Sequence, residues 1–102
     1  MKKFAVNGKL IAIRGKRDAL TEYLLSAAKK MESLDTCYCY IVGVDPEDGD
    51  AVYIFEVWEN EAAHQAALQM DVFQRLIDEA RPLIAGMEDF PSLQILGGKA
   101  SL

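Results

Sequence analysis

The chain has 102 residues, 51% of them hydrophobic and 26% charged, and a formal net charge of −5. That is enough chain for one domain with one core, read here as residues 1–102. The acidic balance argues against nucleic acid or an anionic membrane surface as the main partner, because both repel a net negative protein.

The opening "MKKFAVNGKLIAI" joins two lysines to apolar residues, as a secretory leader does. Asn7, Gly8 and Lys9 interrupt the apolar run and no small-residue cleavage site follows, so no leader is expected. The longest apolar run, Cys37 to Val44, falls well short of the roughly 20 residues needed to span a bilayer. The expected location is the cytoplasm.

"FAVNGKLIAIR", Phe4 to Arg14, is rich in apolar and β-branched residues and stops at Gly15. It reads as the first strand, with an irregularity at Gly8. From Arg17 to Leu34 the period becomes helical, with Leu20, Leu24, Ala27, Met31 and Leu34 on one stripe. "TCYCYIVGVD" reads as a second strand and "AVYIFEVWE" as a third. "DPEDGD" between them carries the Asp, Pro and Gly residues of a hairpin loop, so the two strands pair antiparallel.

Asn60 is placed to cap a short helix from Glu61 to about Gln69. Asp71 is placed to cap another from Val72 to about Ala80. Pro82 kinks or ends that helix, Gly86 reads as a stop after "PLIA", and "SLQILGG" reads as a fourth strand. The order is β-α-β-β-α-β, an α+β ferredoxin-like arrangement with an antiparallel sheet and the helices on one face. Both faces of the second and third strands are apolar, so the uncovered face calls for a second copy of the chain.

Cys37 and Cys39, two apart on a strand, are expected on one face as reduced thiols that do not bridge. With two cysteines and one histidine there is no zinc set, and no metal site is expected. No Gly-rich phosphate loop or nucleophile elbow is present.

The stretch "EVWENEAAHQAAL" holds the chain's one tryptophan, Trp58, and one histidine, His64. His64 falls at the margin of the stripe marked by Ala63 and Ala67. It is either a general base, as an imidazole with a near-neutral pKa suits, or a solvent-facing residue of an alanine-rich helix. Trp58 either stacks on a flat ligand or packs under the helix that follows. Glu56 shares its face, and if buried needs a partner, for which Lys9, Arg14 and Arg81 are candidates, or a raised pKa. Tyr38, Tyr40, Tyr53 and Phe55 line a pocket, a core or a dimer interface, and the strand pattern does not separate these.

The strand "VYIFEVWEN" with Tyr53, Glu56 and Trp58, the acidic alanine-rich helix after it, and "DVFQRL" resemble the antibiotic biosynthesis monooxygenase family. So do "RG" after the first strand and the short closing strand, and the resemblance covers nearly the whole chain. It implies a dimeric α+β barrel with a pocket between sheet and helices in each subunit. It also implies a cofactor-independent monooxygenase that oxidises a quinol-like or polycyclic aromatic with O2, needing no metal, flavin or haem. The site residues it suggests are His64 as catalytic base, and Trp58, Glu56 and Asn7 as substrate contacts. His64 occupies the place of a pocket tyrosine in the anthrone-type members. Ala67 and Ile77 occupy the places of the tryptophan and histidine that hold haem in the haem-degrading branch. The alternatives are a non-catalytic small-molecule-binding or regulatory dimer, and a small isomerase of the same fold.

Overall fold

A computed structural model describes residues 3–100. Strand β1 (Lys3–Ala12) leads to helix α1 (Arg17–Met31), and strands β2 (Cys37–Val44) and β3 (Ala51–Trp58) follow as a hairpin. Helices α2 (Glu61–Leu68) and α3 (Asp71–Ala80) come next, then a single 3₁₀ turn, Arg81–Leu83. Strands β4 (Ile84–Asp89) and β5 (Leu93–Ile95) end the described fold.

The sheet is antiparallel with order β2-β3-β1-β4, and β5 extends the β4 edge by pairing with the start of β1. The fold is therefore the expected ferredoxin-like α+β type, with five strands rather than four. "SLQILGG" forms β5, whereas "IAGMED" forms the unexpected strand beside β1. Gly86 is not a helix stop. It lies opposite Ile11 in an edge strand, where the Ile11 side chain comes within 3.6 Å of the place a Cβ would take.

Other boundaries shift for local reasons. α1 stops at Met31, because Ser33 and Leu34 close tighter bonds to the carbonyls three residues back. Asn60 caps α2, accepting the Ala63 N–H at 2.8 Å. Asp71 does not cap α3; it is the first helical residue, and Met70 takes the cap position with no side-chain bond. Gly8 keeps a regular register, and the irregularity in β1 falls between Ile11 and Ala12.

The helices cover one face of the sheet, here called inner. Leu20 of α1, Val52 and Leu10 of the sheet and Ala80 of α3 form one buried cluster. Trp58, Ala27, Met31, Ala67 and Phe73 form a second. The period-2 alternation of β3 sends Val52, Ile54, Glu56 and Trp58 inward and Tyr53, Phe55 and Val57 outward. The outer face exposes Ile41, Phe55 and nearby Phe90, around a shallow depression of about 270 Å³. Among the described residues no helix is long and apolar enough to cross a membrane.

Strand β2 carries one irregularity. Cys37 stands opposite Trp58 but Cys39 stands opposite Val57, so β2 carries an extra residue at Tyr38. The two cysteines therefore do not share a face, contrary to the alternation expected for them. Cys37 packs against the Trp58 cluster, and its thiol contacts the Cys39 carbonyl at 3.5 Å. Burial pushes that thiol up to about 11, which keeps it protonated and unreactive at neutral pH.

Candidate active site

A cavity of about 480 Å³ lies between the inner face and the helices. Its wall is mostly aliphatic and aromatic, from Leu20 and Leu24 of α1, Ile54 of β3, and Phe73 and Leu76 of α3. Five side chains bring polar atoms: Tyr23, Tyr40, Glu56, Trp58 and Arg81. Arg81 is exposed and pairs loosely with Asp78 at 3.9 Å, so it stands at the rim. The volume is in the range of ordinary small-molecule sites.

Glu56 is the charge-bearing group of the interior. Its Oε1 accepts the indole N–H of Trp58 at 2.9 Å. Burial raises the carboxyl above its ordinary range, and the Trp58 bond pulls it part of the way back. None of the candidate cations, Lys9, Arg14 or Arg81, forms an ion pair with it. Lys9 turns outward to Glu88 at 3.4 Å, and Arg81 pairs with Asp78.

His64 meets Glu56 from the helix side. Only Glu59 and Asn60 separate β3 from α2, so the first turn of α2 lies over the strand's last inward residues. His64 Nε2 is 3.8 Å from Glu56 Oε1, beyond hydrogen-bond length, and both side chains are 13% exposed. Burial lowers the imidazole pKa, and the Glu61 charge opposes that in part. At neutral pH the lowered pKa favours the neutral imidazole, so the contact is not a full ion pair there. The ring sits edge-on to Trp58, centroids 5.5 Å apart, and 5.9 Å from Phe4. Its Nδ1 is buried and, among the described residues, has no hydrogen-bond partner. His64 is thus neither solvent-facing nor among the residues of the cavity wall; it contacts Glu56, which is.

Of the residues singled out from sequence, Trp58, Glu56 and His64 come together. Asn7 does not. It pairs with Phe55 on the outer face, and its side-chain amide donates to the Pro91 carbonyl at 3.2 Å. Of the four strand aromatics, Tyr40 alone reaches the cavity. The bulge at Tyr38 puts it opposite Glu56, and a one-residue insertion leaves no mark in a run as uniformly apolar as "CYCYIV". Ala67 and Ile77 both line the cavity, and neither side chain can ligate a metal. Among the described residues, no three His, Cys, Asp or Glu side chains converge as a metal-binding set.

A five-stranded α+β sheet with an apolar cavity under its helices, holding one carboxyl tied to an indole, defines a domain of the ferredoxin-like class. Residues 4–79 match the family model described as antibiotic biosynthesis monooxygenase, and the chain belongs to that family. A solved structure from Chloroflexus aurantiacus J-10-fl, named for the same family, is 36% identical, with a TM-score of 0.87 over 96% of this chain and 97% of that one. A Pseudomonas aeruginosa protein shares the fold at 20% identity and a TM-score of 0.84, over 95% of this chain and 97% of that one. One from Deinococcus radiodurans, also named for the family, shares it at 22% identity and 0.76, over 97% and 96%. Comparison with curated proteins gives no match.

Proposed function

We propose that the chain is a cofactor-independent monooxygenase that oxidises a quinol-like or polycyclic aromatic with O2 in the inner cavity. The observation that carries this reading is Glu56: a carboxyl with a raised pKa, with no Lys or Arg paired to it among the described residues, on the wall of an apolar cavity. Such a group suits removal of a phenolic proton. The phenolate is a far stronger reductant than the phenol and can give electrons to O2. A peroxide forms at a ring carbon that bears hydrogen. Loss of water from it leaves a quinone, so one oxygen atom enters the substrate and the other leaves as water. The substrate supplies all four electrons that reduce O2, and no outside reductant is needed.

In this reading Glu56, not His64, is the base that touches substrate. His64 braces Glu56 from behind, and Trp58 fixes the carboxyl and walls the cavity. Two copies pack through their outer faces, covering Ile41, Phe55 and Phe90, and each keeps its own cavity. The test is oxygen uptake with a panel of naphthols and dihydroxynaphthalenes. Uptake above the uncatalysed rate, lost in Glu56→Gln, is expected. No uptake across the panel would discard the reading.

A non-catalytic ligand-binding role is the second reading, and one observation favours it: the chain's one imidazole is absent from the cavity wall. In that case a ligand raises the melting temperature and is recovered unchanged by mass spectrometry.

A further inference from the structure

The bulge in β2 decides which side chain faces Glu56. Without the extra residue, alternation from the Cys37–Trp58 pair would bring Cys39 opposite Glu56 and turn Tyr40 outward against Phe55. With it, Tyr40 falls opposite Glu56, and both line the inner cavity. Bulges re-aim side chains in this way and are common beside active sites. Directly opposed residues on one face have Cβ atoms about 4.5–5.5 Å apart. A phenol and a carboxyl therefore leave neighbouring points of one wall.

The two groups are chemically complementary. Burial, then the nearby Glu56 charge, pushes the Tyr40 hydroxyl well above its ordinary range, so it remains an O–H donor. An ionised Glu56 only accepts. Its Oε1 is engaged by Trp58, and among the described residues no hydrogen bond joins it to Tyr40. Nor does another side chain or backbone group engage the Tyr40 hydroxyl there. Cys39, which a regular strand would supply, would bring a weak thiol donor instead.

Resting on the aromatic-substrate reading above, we infer that Tyr40 and Glu56 form a two-point clamp for an aromatic ligand with oxygens on adjacent ring carbons. One oxygen is a hydroxyl that donates to Glu56; the other accepts from Tyr40. Two side chains on one wall reach adjacent oxygens together, whereas oxygens at opposite ends of a fused ring pair leave one side chain unmatched.

Calorimetric titration under argon with 2,3- and 2,7-dihydroxynaphthalene tests this. The isomers share a formula and nearly the same apolar surface. The 2,3-isomer is expected to bind at least about tenfold more tightly, the size of one good hydrogen bond. Tyr40→Phe, which keeps the ring, is expected to bring the two within about twofold by weakening the 2,3-isomer alone. A ligand series on the unaltered protein gives the same answer should that variant fold poorly. There, 3-methoxy-2-naphthol, which can still accept from Tyr40, should bind more tightly than 2-naphthol. Equal binding of the isomers, a preference that survives Tyr40→Phe, or binding of neither isomer overturns the clamp. The oxygenase reading fails separately. A 2,3-preference without oxygen uptake keeps the clamp and discards turnover, and uptake without isomer preference does the reverse.

Discussion

Trp58 Nε1 donates to Glu56 Oε1 across 2.9 Å, from one inward-facing position of β3 to the next. The indole is fully buried in the cluster with Ala27, Met31 and Phe73 and has little freedom to move. The bond therefore fixes the carboxyl as well as tuning it. Burial favours the protonated form and the indole N–H favours the carboxylate.

Replacing Trp58 with Phe separates the two effects. The ring remains but the donor is lost, so the Glu56 carboxyl should titrate at higher pH than in the unaltered protein. Carbon-detected NMR of the glutamate side chains reads this directly. Stability should fall by about 1–3 kcal/mol, from the smaller ring and one lost charge-assisted hydrogen bond. An unmoved titration would mean that burial alone sets the carboxyl's pKa.

Glu56→Gln should lower turnover by roughly 10²–10⁴-fold on a substrate that needs its phenol ionised. It should also change how stability depends on pH. The folded-state pKa of Glu56 lies above its ordinary 4.5. Well below that value both folded and unfolded chains hold the proton. As pH rises the unfolded chain ionises first, so stability is lost until the folded carboxyl ionises too. The variant has no such proton. Urea unfolding on both sides of pH 4.5 should show the unaltered protein losing ground to Glu56→Gln as pH rises. A constant difference would mean that Glu56 ionises alike in both states.

Sequence reaches unevenly into this site. Leu20, Ala27 and Met31 are legible as one stripe because a helix repeats regularly over its whole length. Glu56 and Trp58 are legible as neighbours because β3 alternates without a break. β4 is hidden because Pro82 and Gly86 look like punctuation, and because an exposed edge strand needs no apolar alternation. Tyr40 and Cys39 are misplaced by a single bulged residue that reverses the facing of everything after it. Asn7 shows the same rule from the other side: on β1, odd and even positions belong to different surfaces, and Asn7 has the outer parity.

His64 offers a cleaner measurement than most groups, because it is the chain's one histidine. Its imidazole protons should titrate below 6.5, as burial disfavours the charged ring. The unfolded chain takes up the proton first as pH falls. The stability this group contributes is thus present above 6.5 and lost as pH falls through the folded-state value. His64→Ala should cost about 1–2 kcal/mol, since the ring fills space between Phe4 and Trp58. Its effect on turnover should be smaller than that of Glu56→Gln. Equal losses would restore the imidazole as the base.

The outer face makes the last test. Ile41, Phe55 and Phe90 are 38%, 37% and 41% exposed in one copy, on the side that no helix covers. Water against three large apolar groups is unfavourable, and a second copy removes it without any new element. Lys9, whose ammonium lies over the outward Tyr53 ring, is already paired with Glu88 and leaves little free charge there to oppose association. Sedimentation at micromolar concentration should give twice the 11.3 kDa of the chain. A lasting sheet-to-sheet interface of this kind would bury roughly 2,000 Å² or more. Phe55→Asp should then yield monomers that keep their circular dichroism, because a half-exposed side chain contributes little to the fold of its own copy but would carry an unpaired charge into the interface. If the unaltered protein sediments as a monomer, the face is simply tolerated. If Phe55→Asp remains dimeric, the copies meet through another surface, such as the free edge of β2.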